Sequence, residues 1–486
     1  MAKGARILSY AVRLQVVGHL TGLLCWTLTP LPALPLVAAL VNGETGFAAR
    51  LAAGLVLLAA AGFAGMRLAP SRPRLNEVMV VSAMAFALPP FFMAWTFGAF
   101  GIGYVSALFE SVSGLTTTGL SVLGPPEDLP PSVLFTRAWM QWFGGLGFVV
   151  LALGLMGGAG RSAARRLGEA EEVAKDPLGS LRDRARRTLI VYSALTLACF
   201  AALWASGSGA WHALLLCLTA LSTGGFAFDS GSAAALQGWV PRTILIGFST
   251  LGAVSAGIYL HLLRRKPLGT LMRTDLLGLA AFCAAAILGL GFLMWLDGGY
   301  AGREILAHAP FMALSAQTTT GYSTMGTASL PASALVFLMI AMAIGGNSGS
   351  TAGGVKTFRV LVAFAVMRLT LQRPSLPETA ATTLKVGGHE IDFAELQAIA
   401  TVIGLAGATF LFAWLPFLAA GYGLDSLFDV VSATTTTGLS TGVAGPALEP
   451  HLKLVLSLAM LLGRVEFIAL LVLLWPPTWL GQKFRS

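Results

Sequence analysis

Apolar runs of about 20 residues, the length needed to cross a bilayer, recur along the chain from Leu8 to Trp475. Polar positions gather in short links between them. Two spans come first, near 8–40 and 46–68, and Pro30, Pro32 and Pro35 predict a kink or break in the first. A unit then repeats four times: a long span, a short half-span, a Thr/Gly loop and a second long span. The first unit has long spans near 76–98 and 132–157 around a half-span at 103–116. The second has 187–206 and 240–265 around 209–222. The third has 274–296 and 332–366 around 303–318, and the fourth has 395–420 and 450–478 around 424–435. The expected organisation is therefore two N-terminal spans (1–75) and four repeats at 76–160, 185–268, 272–370 and 392–480.

The half-spans are too short to cross a bilayer and read as re-entrant. The segments after them are alike: Ser113-Gly-Leu-Thr-Thr-Thr-Gly119, Thr219-Ala-Leu-Ser-Thr-Gly-Gly225, Ser315-Ala-Gln-Thr-Thr-Thr-Gly321 and Ser432-Ala-Thr-Thr-Thr-Thr-Gly438. Aligned on the final glycine, each has Ser or Thr six residues upstream and Thr two residues upstream. Irregular backbone survives in an apolar setting only if protein covers it or it lines water. Four such loops around one axis would present a ring of oxygens, which is how a protein replaces the water shell of a small cation. Glycine permits the turn, and threonine keeps the side chain small while adding a hydroxyl. A half-helix whose C-terminus runs into the loop points partial negative charge at it. The expected ion-contacting residues are Thr117, Thr118 and Gly119; Thr223, Gly224 and Gly225; Thr319, Thr320 and Gly321; and Thr436, Thr437 and Gly438. The rival reading is that small residues only let helices pack closely.

Composition agrees with a membrane protein: 56% of the 486 residues are hydrophobic and 11% are charged, against about 25% charged in soluble domains. The net charge of +9 follows topology. Lys3, Arg6 and Arg13; Arg67, Arg72 and Arg74; the link 161–187; Arg264, Arg265, Lys266 and Arg273; Arg359, Arg368, Arg373 and Lys385; and Lys483 and Arg485 fall on alternate links. The remaining links hold scattered basic residues such as Arg137, Arg242 and Arg303. The positive-inside rule makes the basic links cytoplasmic and leaves both termini inside. With no basic-aromatic stripe, a nucleic-acid partner is not expected. Cys25, Cys199, Cys217 and Cys283 have no metal or redox spacing and read as small buried residues.

Gly345, Gly346, Asn347, Ser348, Gly349, Ser350, Thr351, Gly353 and Gly354 interrupt the last span of the third unit, with Lys356 just beyond. Such a stretch should unwind, and it reads as a gate loop at 345–354 or as a close helix crossing. Gly346-Asn-Ser-Gly349 also has the GxSG form of an intramembrane serine protease. No histidine lies mid-span on a late helix to serve as its base, so no catalytic residues are implied. Arg464 and Glu466 interrupt the last span, and intramembrane charge is a functional candidate. Arg464 could face the pore or brace the break, with Asp429 or Glu110 as partners, or belong to a structural ion pair. Glu110 and Asp429 match each other in their repeats, where Leu216 and Met312 stand in the other two. They read as braces of the loops or as attractors of cations.

With its Phe109-Glu-Ser-Val-Ser-Gly-Leu-Thr-Thr-Thr-Gly119, Arg137-Ala-Trp-Met-Gln-Trp-Phe-Gly-Gly-Leu-Gly147, Gly345-Gly-Asn-Ser-Gly-Ser-Thr-Ala-Gly-Gly-Val-Lys356 and Leu462-Gly-Arg-Val-Glu466 segments, the chain resembles the Trk/Ktr/HKT superfamily of potassium transporters. It is most similar to the bacterial TrkH branch, which shares the two extra N-terminal spans. The resemblance implies an all-α polytopic membrane protein with pseudo-fourfold repeats, K⁺ uptake across the cytoplasmic membrane and no cofactor beyond the transported ion. It also implies a homodimer docked on a cytosolic nucleotide-binding (RCK-type) regulatory subunit. The alternative is a Na⁺-permeable or Na⁺/H⁺-coupled member. Serine at the first filter glycine goes with Na⁺ preference in related plant transporters, so Gly119 implies K⁺. The fourth loop departs from the branch: Thr434-Thr-Thr-Thr-Gly438 stands where a pair of amides often precedes the glycine.

Overall fold

The computed structural model describes residues 6–69, 71, 73–159, 177–263, 265, 267–375, 377, 383–465, 467–480 and 482–485. The chain is mostly helical. Among the described residues, six helices are long and apolar enough to cross a membrane, or up to eight if each of two bent pairs counts as one span.

The proline-marked first span is two consecutive helices, Leu14–Leu28 and Pro30–Val41. Pro30 opens the second, where its missing N–H costs nothing. Thr45–Met66 returns beside them. These helices rest on the first repeat: Trp139 Nε1 donates to the Pro30 carbonyl at 3.0 Å, and the Ser132 hydroxyl bonds Glu44. Near the chain ends, Arg6–Ser9 and Gln482–Arg485 form a two-stranded antiparallel ribbon. It sets both ends of the chain side by side.

The four half-spans are the helices Tyr104–Leu115, Ala210–Leu221, Gly302–Gln317 and Asp425–Thr434. Their 10 to 16 residues reach about 15–24 Å at 1.5 Å per residue, short of the ~30 Å hydrocarbon layer. They are the most enclosed elements. Every residue from Ala107 to Leu115 is buried, as is every residue from Leu215 to Leu221. The long helices around them expose apolar side chains such as Leu197, Leu288 and Phe412, the surface that lipid covers. A helix apolar or small all round belongs in such an interior.

The second long span departs from the expected continuous helix in three repeats. In the second repeat it breaks between Trp239–Gly252 and Ala256–Leu263, which meet at 88°. In the third it breaks between Ala332–Ile344 and Thr357–Gln372, at the glycine-rich stretch. In the fourth, Pro450–Arg464 and Ile468–Leu474 are separate helices. Only Pro131–Ala159 of the first repeat runs through. Near the link 375–392, Lys385–Val386 and His389–Glu390 make a short hairpin whose turn is Gly387-Gly388, the pairing that a two-residue turn with positive φ favours.

Candidate ion pathway

Each half-span helix ends in the same backbone device. The residue before the loop glycine donates its N–H to the carbonyl six residues upstream of that glycine. The pairs are Thr118 to Ser113 (2.8 Å), Gly224 to Thr219 (2.8 Å), Thr320 to Ser315 (2.9 Å) and Thr437 to Ser432 (2.8 Å). The threonine two places before each glycine has positive φ: 56° at Thr117, 53° at Thr223 and Thr319, and 52° at Thr436. The glycines follow at 88°, 73°, 84° and 96°. A β-branched residue in this region is an outlier costing on the order of 1–3 kcal/mol. Four at matched positions are a built feature. Alternating the sign of φ along three residues turns successive carbonyls toward one side, the arrangement a cation requires.

The loops close into a ring. A Cβ on Gly119 would overlap the carbonyl oxygen of Gly224, and one on Gly225 that of Thr320. One on Gly321 would overlap that of Thr437, and one on Gly438 that of Thr118. The contacts run from the first loop to the second, third, fourth and back. All twelve residues expected to contact the ion therefore lie together around one axis. Behind them a second set of close approaches holds the half-spans: Gly144, Gly252 and Gly463 on the outer helices lie against the carbonyls of Leu115, Leu221 and Thr434.

Glu110 and Asp429 are wholly buried and brace the chain after the glycine. Glu110 Oε1 accepts from the Ser121 hydroxyl at 2.7 Å and the Val122 N–H at 2.7 Å. Asp429 accepts from the Ser440 hydroxyl (2.6 Å) and from the N–H groups of Thr441 (2.8 Å) and Ala444 (2.7 Å). In the third repeat the Thr324 N–H lies 3.4 Å from Met312 Sδ, and His308 Nδ1 bonds the Thr324 hydroxyl at 3.0 Å. Of the two readings for the matched acids, the geometry is that of braces.

Arg137 differs from its sequence reading as a loop charge. It is buried, pairs with Glu110 at 3.2 Å and stacks over Phe226 at 4.1 Å. Tyr322, directly after Gly321, is also wholly buried, and its hydroxyl bonds Thr219 of the second repeat. Neither role had a local signal. A charge near a span end reads as topology, and a tyrosine in an apolar run reads as core.

The glycine-rich break lies against these loops. Gly345, Gly349 and Gly354 have positive φ, as does Lys356 at 85°. The Gly353 N–H donates to the Thr319 hydroxyl at 2.6 Å, and Gly354 N–H reaches the Thr435 carbonyl at 3.2 Å. The Thr351 hydroxyl meets the Leu221 (3.0 Å) and Gly252 (2.9 Å) carbonyls and lies 3.3 Å from the Thr223 hydroxyl. Asn347 N–H donates to Ala253 O at 3.0 Å, and Gly349 O accepts from Ala256 N–H at 3.1 Å. Gln317 Nε2 donates to Gly345 O at 2.8 Å. Gly346 O accepts from the Thr357 N–H at 2.9 Å, and the Ser350 hydroxyl donates to the Asn347 carbonyl at 2.7 Å. Non-helical backbone is tolerated in an apolar surrounding under just this condition. Lys356 Nζ bonds the Ala352 carbonyl. Asp275, on the first long helix of the third repeat, faces Asn347, Ser348 and Lys356.

Arg464 is buried and braces the break. One guanidinium nitrogen donates to the Thr351 carbonyl at 2.6 Å, and another lies 3.5 Å from the Gly144 carbonyl. The acids expected as its partners are engaged elsewhere, Glu110 by Arg137 and Asp429 by its own loop. Glu466 and residues 160–176 of the basic link lie outside the described residues.

The described residues make a mostly helical chain with membrane-length apolar helices, four short helix–loop units closed into a ring and an unwound segment packed against that ring, which marks a polytopic membrane protein. The family model "TrkH: Cation transport protein" matches residues 96–296 and 292–476, and the chain belongs to that family. It is 28% identical to the Trk system potassium uptake protein TrkG of Escherichia coli (strain K12) over 476 residues, 94% of this chain and 97% of the relative. It is 30% identical to the Trk system potassium uptake protein TrkH of the same strain over 386 residues, 77% of this chain and 79% of the relative. The crystal structure of the potassium transporter TrkH from Vibrio parahaemolyticus superposes with a TM-score of 0.84 at 24% identity, covering 96% of this chain and 100% of that one. This is the same fold. The chain is a multi-pass membrane protein of a cation-transport family.

Proposed function

We propose that the chain carries K⁺ into the cell across the cytoplasmic membrane, with the four Thr/Gly loops as its selectivity filter. The observation that carries the reading is the closed ring in which each loop glycine abuts the next loop's carbonyl. A bare K⁺ needs several oxygens, and uncharged carbonyls supply them while letting the ion leave again. The names of the relatives support K⁺ as the ion. Half-span helices that end at the ring add partial negative charge. No cofactor takes part; K⁺ is the cargo.

The glycine-rich segment from Gly345 to Lys356 serves as the gate. Its hydrogen bonds to Thr319 and Thr435, and those of Thr351 to the Leu221 and Gly252 carbonyls, which tie it to the loops, support this reading. Arg464 acts as its latch. The working unit is a homodimer with both termini in the cytoplasm, and a cytosolic nucleotide-binding subunit of the RCK type moves the gate. Purified protein in liposomes tests the ion assignment. Rb⁺, which substitutes for K⁺, enters in preference to Na⁺. Entry of Na⁺ at an equal rate would favour the Na⁺-permeable reading.

A further inference from the structure

Three loops carry threonine directly before the glycine. Each shares a 2.8 Å hydrogen bond with the threonine two residues earlier: Thr118 with Thr116, Thr320 with Thr318, and Thr437 with Thr435. The earlier threonine of each pair also bonds the helix carbonyl four residues back, that of Val112, Leu314 or Val431. The pair thus ties the loop strand to the end of its own half-span. The second loop has Ser222 and Gly224 at these places. Ser222 keeps the helix bond, to the Leu218 carbonyl at 2.8 Å, but Gly224 offers no hydroxyl.

The missing tie comes from another repeat. Gln141, on the helix Pro131–Ala159, is wholly buried. Its Nε2 donates to the Gly224 carbonyl at 2.6 Å, and its Oε1 accepts from the Phe226 N–H at 3.1 Å. One carboxamide therefore spans the loop glycine Gly225 on both sides. A Cβ at Gly224 would overlap the Gln141 side chain, so the glycine and the glutamine require each other. Gln141 stands three residues before Gly144. The residues three before the matching Gly252 and Gly463 are Ser249, whose hydroxyl donates to the Leu245 carbonyl of its own helix at 2.9 Å, and Met460, which has no N–H or O–H to donate.

We propose that Gln141 is a positioning residue that sets ion selectivity by holding the second loop in place of the threonine pair. It acts through the Gly224 carbonyl and Phe226 amide, and it does not touch the ion. This rests on reading the ring as a K⁺ filter.

The test is radioactive Rb⁺ and Na⁺ uptake into liposomes holding purified full-length protein. The variants are Gln141→Met, Gly224→Thr and the double variant Gln141→Ala/Gly224→Thr. Gln141→Met conserves volume and removes both hydrogen bonds, so it should fold yet lose about tenfold in Rb⁺-over-Na⁺ preference. Gly224→Thr alone should lose uptake, because the new side chain meets Gln141. The double variant makes room for a hydroxyl that can pair with Ser222, and should regain most of the preference, a coupling that unrelated sites do not show. A Gln141→Met protein with wild-type preference would overturn the proposal, as would a double variant no better than the single ones. If the wild-type protein itself shows no preference for Rb⁺, the K⁺ reading falls and this role of Gln141 with it.

Discussion

Thr117, Thr223, Thr319 and Thr436 occupy a backbone region that β-branched residues avoid, and the glycines beside them have no space for a side chain. Residues held this way are sensitive to small changes. Gly119→Ser places a side chain at positive φ and against the Gly224 carbonyl, so it should widen the proposed filter there. The expected outcome is about a tenfold loss of Rb⁺-over-Na⁺ preference in liposome flux, worth about 1.4 kcal/mol. An unchanged ratio would remove Gly119 from the account. The buried pair of Glu110 and Arg137 makes a prediction about stability. Glu110→Gln leaves the guanidinium without its charge partner and should cost roughly 3–5 kcal/mol. Glu110→Gln/Arg137→Met should recover part of this, read as the thermal unfolding midpoint in detergent.

At the scale of elements, half-spans, loops and the unwound segment were legible in the sequence. Their signals are local: apolar runs too short to cross, then glycine and threonine at fixed spacing. The breaks after Gly252 and Arg464 were not, because apolar residues on both sides read as one helix. Gln141, Tyr322, Arg137 and Asp275 were also hidden. Each acts on a partner far away in sequence, and such a partner leaves no periodicity. Thr351 anchors the unwound segment to the Leu221 and Gly252 carbonyls. Thr351→Val keeps its shape and removes those bonds, so basal cation flux should rise several-fold while the fold persists. Reduced flux from well-folded protein would argue that the segment supports the path and does not block it.

Across the whole molecule, four divergent repeats converge on one ring of loops. Three loops tie themselves with threonine pairs, and the second borrows Gln141 from its neighbour. Two loops carry acidic braces, and a third uses methionine and histidine. The symmetry is thus carried by the backbone ring, while the side chains that support it differ by repeat. On the function proposed above, this ring passes K⁺ and rejects Na⁺. The most direct measurement is Rb⁺ uptake into proteoliposomes of the wild-type protein with K⁺ or Na⁺ as competitor. K⁺ should suppress Rb⁺ uptake at concentrations where Na⁺ has little effect. Equal suppression by both ions, or no Rb⁺ uptake at all, would contradict it.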